Sequence, residues 1–242
     1  MLYRLLPLEG YLRAVSRLFF LWRRLGLGRY APETEYVYYL PELVGRGDVA
    51  IDIGANLGYY SRPLSKLVGE RGHVYSVEPM PPVLEVLRHN LRRSRNVTIL
   101  PYALGEQDGE ITMANDSARE TGYLGTGQNF VNESGGSADV EYRAEMRRGS
   151  ELFADLKRLD FIKCDIEGYE LHVMHEMLPL LERFRPTVLI ETGGENRRRI
   201  IDFFRGLGYS GYMLEHGVMV PVSYSEEKDI IFMPAGDKPE TK

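Results

Sequence analysis

Cysteine and tryptophan occur once each in 242 residues. A lone thiol, Cys164, excludes an internal disulfide framework and fits a reducing compartment. No apolar run approaches the roughly 20 residues that a bilayer-spanning helix needs. No cleavage site follows the short apolar patches at the N-terminus, so no signal peptide is expected. Excess positive charge is also missing. At a formal net charge of −5, the chain as a whole offers no basis for nucleic-acid binding by counterion release. The five histidines are scattered; His172 and His175 stand at i, i+3, but a zinc site would need further well-placed ligands. There is no internal repeat and no low-complexity block. The expectation is a cytoplasmic protein without nucleic-acid partners, with membrane association left open.

What is present is an alternation. Apolar runs at 48–53, 73–78, 97–101, 159–165 and 186–191 are separated by helical patterns at 60–68, 80–93, 168–183 and 195–206. Strands alternating with helices predict a parallel sheet covered on both faces, and right-handed crossovers make it doubly wound. After residue 207, GYMLEHG and EKDIIFMP predict two strands with a turn between them, an antiparallel ending. The expected organisation is an N-terminal helical extension over 1–40, one domain over 41–234 and a flexible tail over 235–242. Within the domain, 114–139 breaks the alternation, with 13 of 26 residues Gly, Asn, Ser or Thr. An insertion of that kind is expected to leave the sheet near the ligand edge and cover substrate, a passive surface loop being the alternative.

Residues 1–30 carry six arginines against one acid, Glu9. On a helix, Arg13, Arg17 and Arg24 fall close together, while Leu12, Val15, Leu18, Phe19, Trp22 and Leu25 fill the opposite arc. Residues 11–25 could therefore lie on anionic lipid or grip a lipid-linked substrate. A helix packed on the rest of the chain, or on a second copy in a homo-oligomer, is preferred, because an apolar helical face is usually core.

The first strand ends in an acid and runs into a glycine turn, VAIDIGANLGYYS over 49–61. In open parallel sheets ligands sit beyond the carboxyl ends of the strands, and such a turn allows close approach to the backbone. The spacing Asp52-x-Gly54-x-x-x-Gly58 is not the Gly-x-Gly-x-x-Gly of dinucleotide binders, which argues against a nicotinamide oxidoreductase. Asp52 suits a cationic ligand. Glu78, at the end of the second strand, can accept hydrogen bonds from both ribose hydroxyls. Tyr102, Ala103 and Leu104 are candidates for an adenine edge. In DFIKCDIEGYE, alternation puts Phe161, Lys163 and Asp165 on one face of a strand and Ile162 and Cys164 on the other. A lysine inside a buried strand needs a carboxylate partner or a substrate oxygen. Asp165 and Glu167 are read as functional, Glu170 as favourable helix-dipole charge.

DVAIDIGANLGYYS, HVYSVEPMPPVLEVLRHNL, LDFIKCDIEGYELHVM and RPTVLIETGG, in that order, resemble the FkbM family of S-adenosylmethionine-dependent methyltransferases over residues 48–193. The resemblance implies a Rossmann-like class I sheet of seven mostly parallel strands, ordered 3-2-1-4-5-7-6. It implies S-adenosyl-L-methionine as cofactor, held at its amino-acid end by Asp52, Gly54, Asn56 and Gly58 and at its ribose by Glu78. It also implies methyl transfer to a hydroxyl of a small-molecule, glycan or glycolipid acceptor. Cys164 stands where the Lys-x-Asp-x-Glu-Gly stretch would carry an aliphatic residue.

Asp165 is then the first choice of general base and Glu191 the second, with Lys163 orienting the base or stabilising oxygen charge. Asp165 and Glu191 at adjacent strand ends could alternatively hold Mg²⁺ or Ca²⁺ in a metal-assisted transfer. A non-catalytic nucleoside-binding module is the other alternative, and the intact acids at 165, 167 and 191 weigh against it.

Overall fold

The computed structural model describes residues 6–32, 34–115, 129–131, 140–194, 196–225 and 229–236. Most of the 114–139 insertion and the tail beyond 236 lie outside the described residues. The alternating segments become β1 (Val49–Ile53), α3 (Ser61–Val68), β2 (His73–Val77), α4 (Pro81–Leu91) and β3 (Val97–Leu100). They continue later as β8 (Phe161–Cys164), β9 (Thr187–Ile190), α8 (Asn196–Gly206), β10 (Tyr209–Glu215), β11 (Val218–Pro221) and β12 (Ile230–Pro234). The expected helix over 168–183 is two helices, α6 (Glu170–Glu176) and α7 (Leu178–Phe184). They part at Met177, just ahead of Pro179, which has no N–H to continue the ladder.

From one edge the large sheet runs β3-β2-β1-β8-β9-β12-β10-β11. Its first seven strands, counted in chain order, are the 3-2-1-4-5-7-6 arrangement. β11 corrects the expected two-strand ending to three and the sheet to eight strands. It pairs antiparallel with β10 across a two-residue turn, His216-Gly217. Both turn residues have positive φ, the twist a tight hairpin requires.

Period-two alternation sorts the strands onto two cores. Ile51, Ile53, Ile162, Cys164, Val188 and Ile190 face α6, α7 and α8. Ala50, Val74, Phe161, Leu189 and Ile231 face α2 (Glu35–Leu43) and α3. Cys164 is fully buried and serves as a small apolar side chain.

A second sheet, ordered β4-β7-β5-β6, was not expected. It is built from β4 (Tyr102–Leu104), β5 (Gly109–Asn115), β6 (Asn129–Val131) and β7 (Val140–Arg147), followed by a short α5 (Gly149–Leu152). The insertion therefore leaves and re-enters a sheet. Met113 and Ala144 pack with Leu57, Met80, Val83 and Val86, and α1 (Leu8–Arg24) closes this third core with Leu12. The packed alternative for the N-terminal helix thus holds for one of its faces. No helix among the described residues is long and apolar enough to cross a membrane.

Leu12 is 1% exposed and Leu21, on the same helix, 51%. Leu12→Ala should cost about 2–5 kcal/mol and Leu21→Ala within about 0.5 kcal/mol, read as denaturation midpoints.

Candidate active site

Four strand tips meet in one layer. Ile53 pairs with Val77 and with Cys164, and Cys164 pairs with Ile190. The next residue of each strand is Gly54, Glu78, Asp165 and Glu191. The ladder continues through them: Gly54 N–H donates to the Val77 carbonyl at 3.0 Å, Asp165 N–H to Ile53 at 3.1 Å and Glu191 N–H to Cys164 at 3.0 Å. Parallel pairing in register is what brings three acids and a glycine from distant parts of the chain to one sheet edge.

Gly54 has φ +77°, and a Cβ there would lie 1.9 Å from the Asp165 carbonyl oxygen. The glycine is required by the neighbouring strand tip, before any ligand is considered. Asn56 also adopts positive φ (50°), and its N–H donates to Glu78 Oε2 at 2.9 Å. Met80 N–H donates to Glu78 Oε1 at 2.9 Å. Glu78 thus holds the glycine turn and the start of α4 while its carboxylate borders the cleft. Burial pushes it up to about 7, against the pull of the Met80 and Asn56 N–H groups. Gly58 (φ +87°) seats the turn on Leu87 of α4.

Asp52 lies behind this edge. It shares the Ala50 face of β1, so its side chain points toward α3 and does not line the cleft. Ser61 Oγ donates to Asp52 Oδ2 at 2.5 Å, and Ser76 Oγ donates to Ser61 Oγ at 2.7 Å. Burial raises the Asp52 carboxyl to about 6, the Ser61 hydrogen bond and the Lys163 charge limiting the rise.

Lys163 is 1% exposed. Its ammonium pairs with Asp165 Oδ2 at 3.4 Å and Asp229 Oδ2 at 3.5 Å and sits 5.2 Å from the centre of the Tyr60 ring. Burial opposes the charge, but these carboxylates outweigh it and hold Lys163 firmly protonated. Asp165 is 39% exposed, on the cleft side. Partial burial works to raise its carboxyl, yet Lys163 and a hydrogen bond with Glu191 keep it below the usual range. Glu191 moves well upward, from that hydrogen bond and from burial. Within this coupled pair Lys163 favours the charge on Asp165, while burial disfavours it on Glu191.

Glu167 sits at φ +56° in the turn after β8. Glu170 Oε1 accepts both Ile166 N–H and Gly168 N–H at 3.0 Å, fixing that turn. It also stands in the first turn of α6, as expected of a helix-dipole charge, so it scaffolds the turn in addition. Glu167 brings a third carboxylate, since donor oxygens of Asp165, Glu167 and Glu191 lie within 4.8 Å of one another. Burial and its acidic neighbours raise Glu167 to about 7.

A cleft of about 290 Å³ joins most of these groups. Gly54, Asn56, Glu78, Ala103, Asp165, Glu167 and Glu191 line it with Tyr102, Leu104 and Tyr169. Of the residues expected at the site, Asp52, Gly58 and Lys163 stand behind its wall. Asp229 is the site residue that sequence reasoning missed. It precedes β12, and because β12 runs antiparallel to β9, the start of β12 lies at the end where β8 and β9 finish.

A family model described as the Methyltransferase FkbM domain matches residues 52–210, from Asp52 through the start of β10. The chain belongs to the FkbM methyltransferase family. The cofactor of this family is S-adenosyl-L-methionine. Among curated proteins this FkbM methyltransferase is similar to protein-L-isoaspartate O-methyltransferases. That of Methanothrix thermoacetophila is 41% identical over 56 residues, 22% of this chain and 27% of that protein. That of Ignicoccus hospitalis is 34% identical over 80 residues, 31% of this chain and 38% of that protein. The chain thus spans well under half the length of these relatives. Among solved structures it is similar to the FkbM methyltransferase of Methylobacillus flagellatus, with TM-score 0.52 and 16% identity over 77% of this chain and 43% of that one. That likeness is one of fold: the class I, Rossmann-like methyltransferase sheet.

Because Asp52 titrates at about 6 when folded and about 3.9 when unfolded, the folded state holds its proton across that window. The associated stability is present below about pH 4 and lost as pH rises through 6. Relative to Asp52→Asn, the native chain should lose up to about 3 kcal/mol between pH 4 and 7, followed by chemical denaturation at each pH. A difference that does not change with pH would refute this account of the buried carboxyl.

Proposed function

We propose that this FkbM methyltransferase transfers the methyl group of S-adenosyl-L-methionine to a hydroxyl oxygen of a small-molecule, glycan or glycolipid acceptor, with Asp165 taking the hydroxyl proton. The observation that carries the reading is an ionised, cleft-facing Asp165 clamped by buried Lys163 in the same cleft as Glu78. The donor set suits the cofactor. The Glu78 carboxylate can accept ribose hydroxyls, and Ala103 with Tyr102 and Leu104 can border the adenine. The strand-end turn of Gly54 and Asn56 offers backbone for its amino-acid end. Asp52 and Gly58 support that turn from behind the wall.

When bound, the cofactor supplies a methyl carbon already activated by a sulfonium. The remaining work falls to the chain's own residues. Holding the acceptor oxygen in line converts an encounter into a unimolecular step. Asp165 accepts the proton as that oxygen becomes more acidic on forming its new bond. Lys163 keeps the carboxylate ionised and fixed in direction, and the protonated Glu191 can donate a hydrogen bond within the same cluster. Glu167, exposed at the rim, is placed to meet the acceptor.

The acceptor should appear as a one-methylene mass difference in host glycans or lipids compared with and without this protein. With that acceptor in hand, Asp165→Asn should retain cofactor binding by calorimetry and lose about 10²–10⁴-fold in turnover. Unchanged turnover removes Asp165 from the chemistry. Abolition of wild-type turnover by a chelator, with recovery on adding Mg²⁺, would favour the metal-assisted form, which the third carboxylate, Glu167, supports. Methylation of isoaspartyl peptides instead would move the acceptor to the class named for the curated relatives.

A further inference from the structure

Six basic residues of this acidic chain are gathered on one face. A groove of about 1050 Å³ is lined by Arg17 of α1, Arg62 and Lys66 of α3, and Arg92, Arg93 and Arg95 after α4, with Glu70 its one acid. It shares no lining residue with the active-site cleft. None of these six cations forms a salt bridge with a carboxylate among the described residues. Their repulsion is felt locally: burial together with Arg62, Arg23 and Arg24 pushes the Lys66 ammonium down.

Beside the groove runs an apolar ridge. Leu18, Leu21, Trp22, Leu25 and Leu27 are each at least half exposed, although the opposite side of α1 buries Leu12 and Ser16. On the helical wheel Arg17 and Arg24 fall between the buried side and the ridge, so charge and apolar surface are contiguous. Within the fold Arg62 packs on the Phe20 ring and Arg92 bonds the His89 carbonyl, but no carboxylate among the described residues pairs with either charge. An aliphatic and indole ridge flanked by unneutralised cations matches a bilayer interface, acyl chains below and phosphates beside. Nucleic acid would use the charge and leave the leucines in water. A symmetric contact between two copies would set one unneutralised groove close to another.

We propose that this face docks on an anionic lipid bilayer, with Leu18, Leu21, Trp22 and Leu25 in the interface and the groove cations on lipid phosphates. The proposal stands independently of which acceptor is methylated.

Trp22 is the chain's single tryptophan, so its fluorescence reports the ridge directly. With phosphatidylglycerol–phosphatidylcholine vesicles, emission should shift to the blue, be quenched by brominated acyl chains, and the protein should co-sediment. Phosphatidylcholine vesicles alone, or high salt, should abolish the shift. Arg92→Gln/Arg95→Gln should weaken binding about thirtyfold, at about 1 kcal/mol per basic residue near the surface. Leu21→Gln/Leu25→Gln should suppress the blue shift while circular dichroism and cofactor binding stay unchanged. Three results would overturn the proposal. One is Trp22 emission indifferent to anionic vesicles. Another is RNA binding that persists in Leu21→Gln/Leu25→Gln while vesicles are ignored. The third is a dimer in sedimentation that this double variant dissociates.

Discussion

Lys163 carries one ammonium into a place where no charge could stay alone. It is all but inaccessible on β8, and an unpaired ion there would cost several kcal/mol. The surrounding structure answers that constraint. Asp165, two residues on along the same strand, supplies one counter-charge and Asp229 the other, while the Tyr60 ring covers the ammonium. Asp229 can be there because β12 inserts antiparallel between β9 and β10. Tyr36 of α2 then donates its hydroxyl hydrogen to the Asp229 backbone carbonyl. One buried cation so links the central strand, the reversed strand and the helix that precedes the sheet.

The acids of the cleft divide by their surroundings. Asp165 pairs with the cation and is held below the usual range, Glu191 is raised by its hydrogen bond with Asp165 and by burial, and Glu167 is raised by burial and by Asp165. Similar side chains on adjacent backbone thus acquire different protonation, which is how a carboxylate cluster can both accept and donate hydrogen bonds near neutral pH.

The parallel strands were legible because buried runs bounded by turn residues have few other readings. The cleft acids were legible because they follow those runs directly. Asp52 was misplaced for a reason also present in the sequence: two residues after Ala50, it must share that residue's face, toward α3. The second sheet went unseen although VEYRAEMR alternates strictly, with Ala144 and Met146 buried. The glycine- and serine-rich stretch before it obscures that period. Asp229 had no local signal, because its place beside Lys163 depends on a strand returning in reverse. Glu170 was legible as a helix-start acid, but its bonds to the Ile166 and Gly168 N–H groups were not. The amphipathic pattern of α1 was plain, but its division into a buried side and an exposed ridge depended on where α4 and the second sheet stand.

Gly54 has a mechanical role as well as a conformational one. Its missing side chain lets the turn after β1 rest against the carbonyl of Asp165. The loop beside Glu78 and the cleft-facing Asp165 are therefore not two parts joined through a flexible core. They are abutting surfaces, and the interval between them is set by contact, like the closed stop of a gauge.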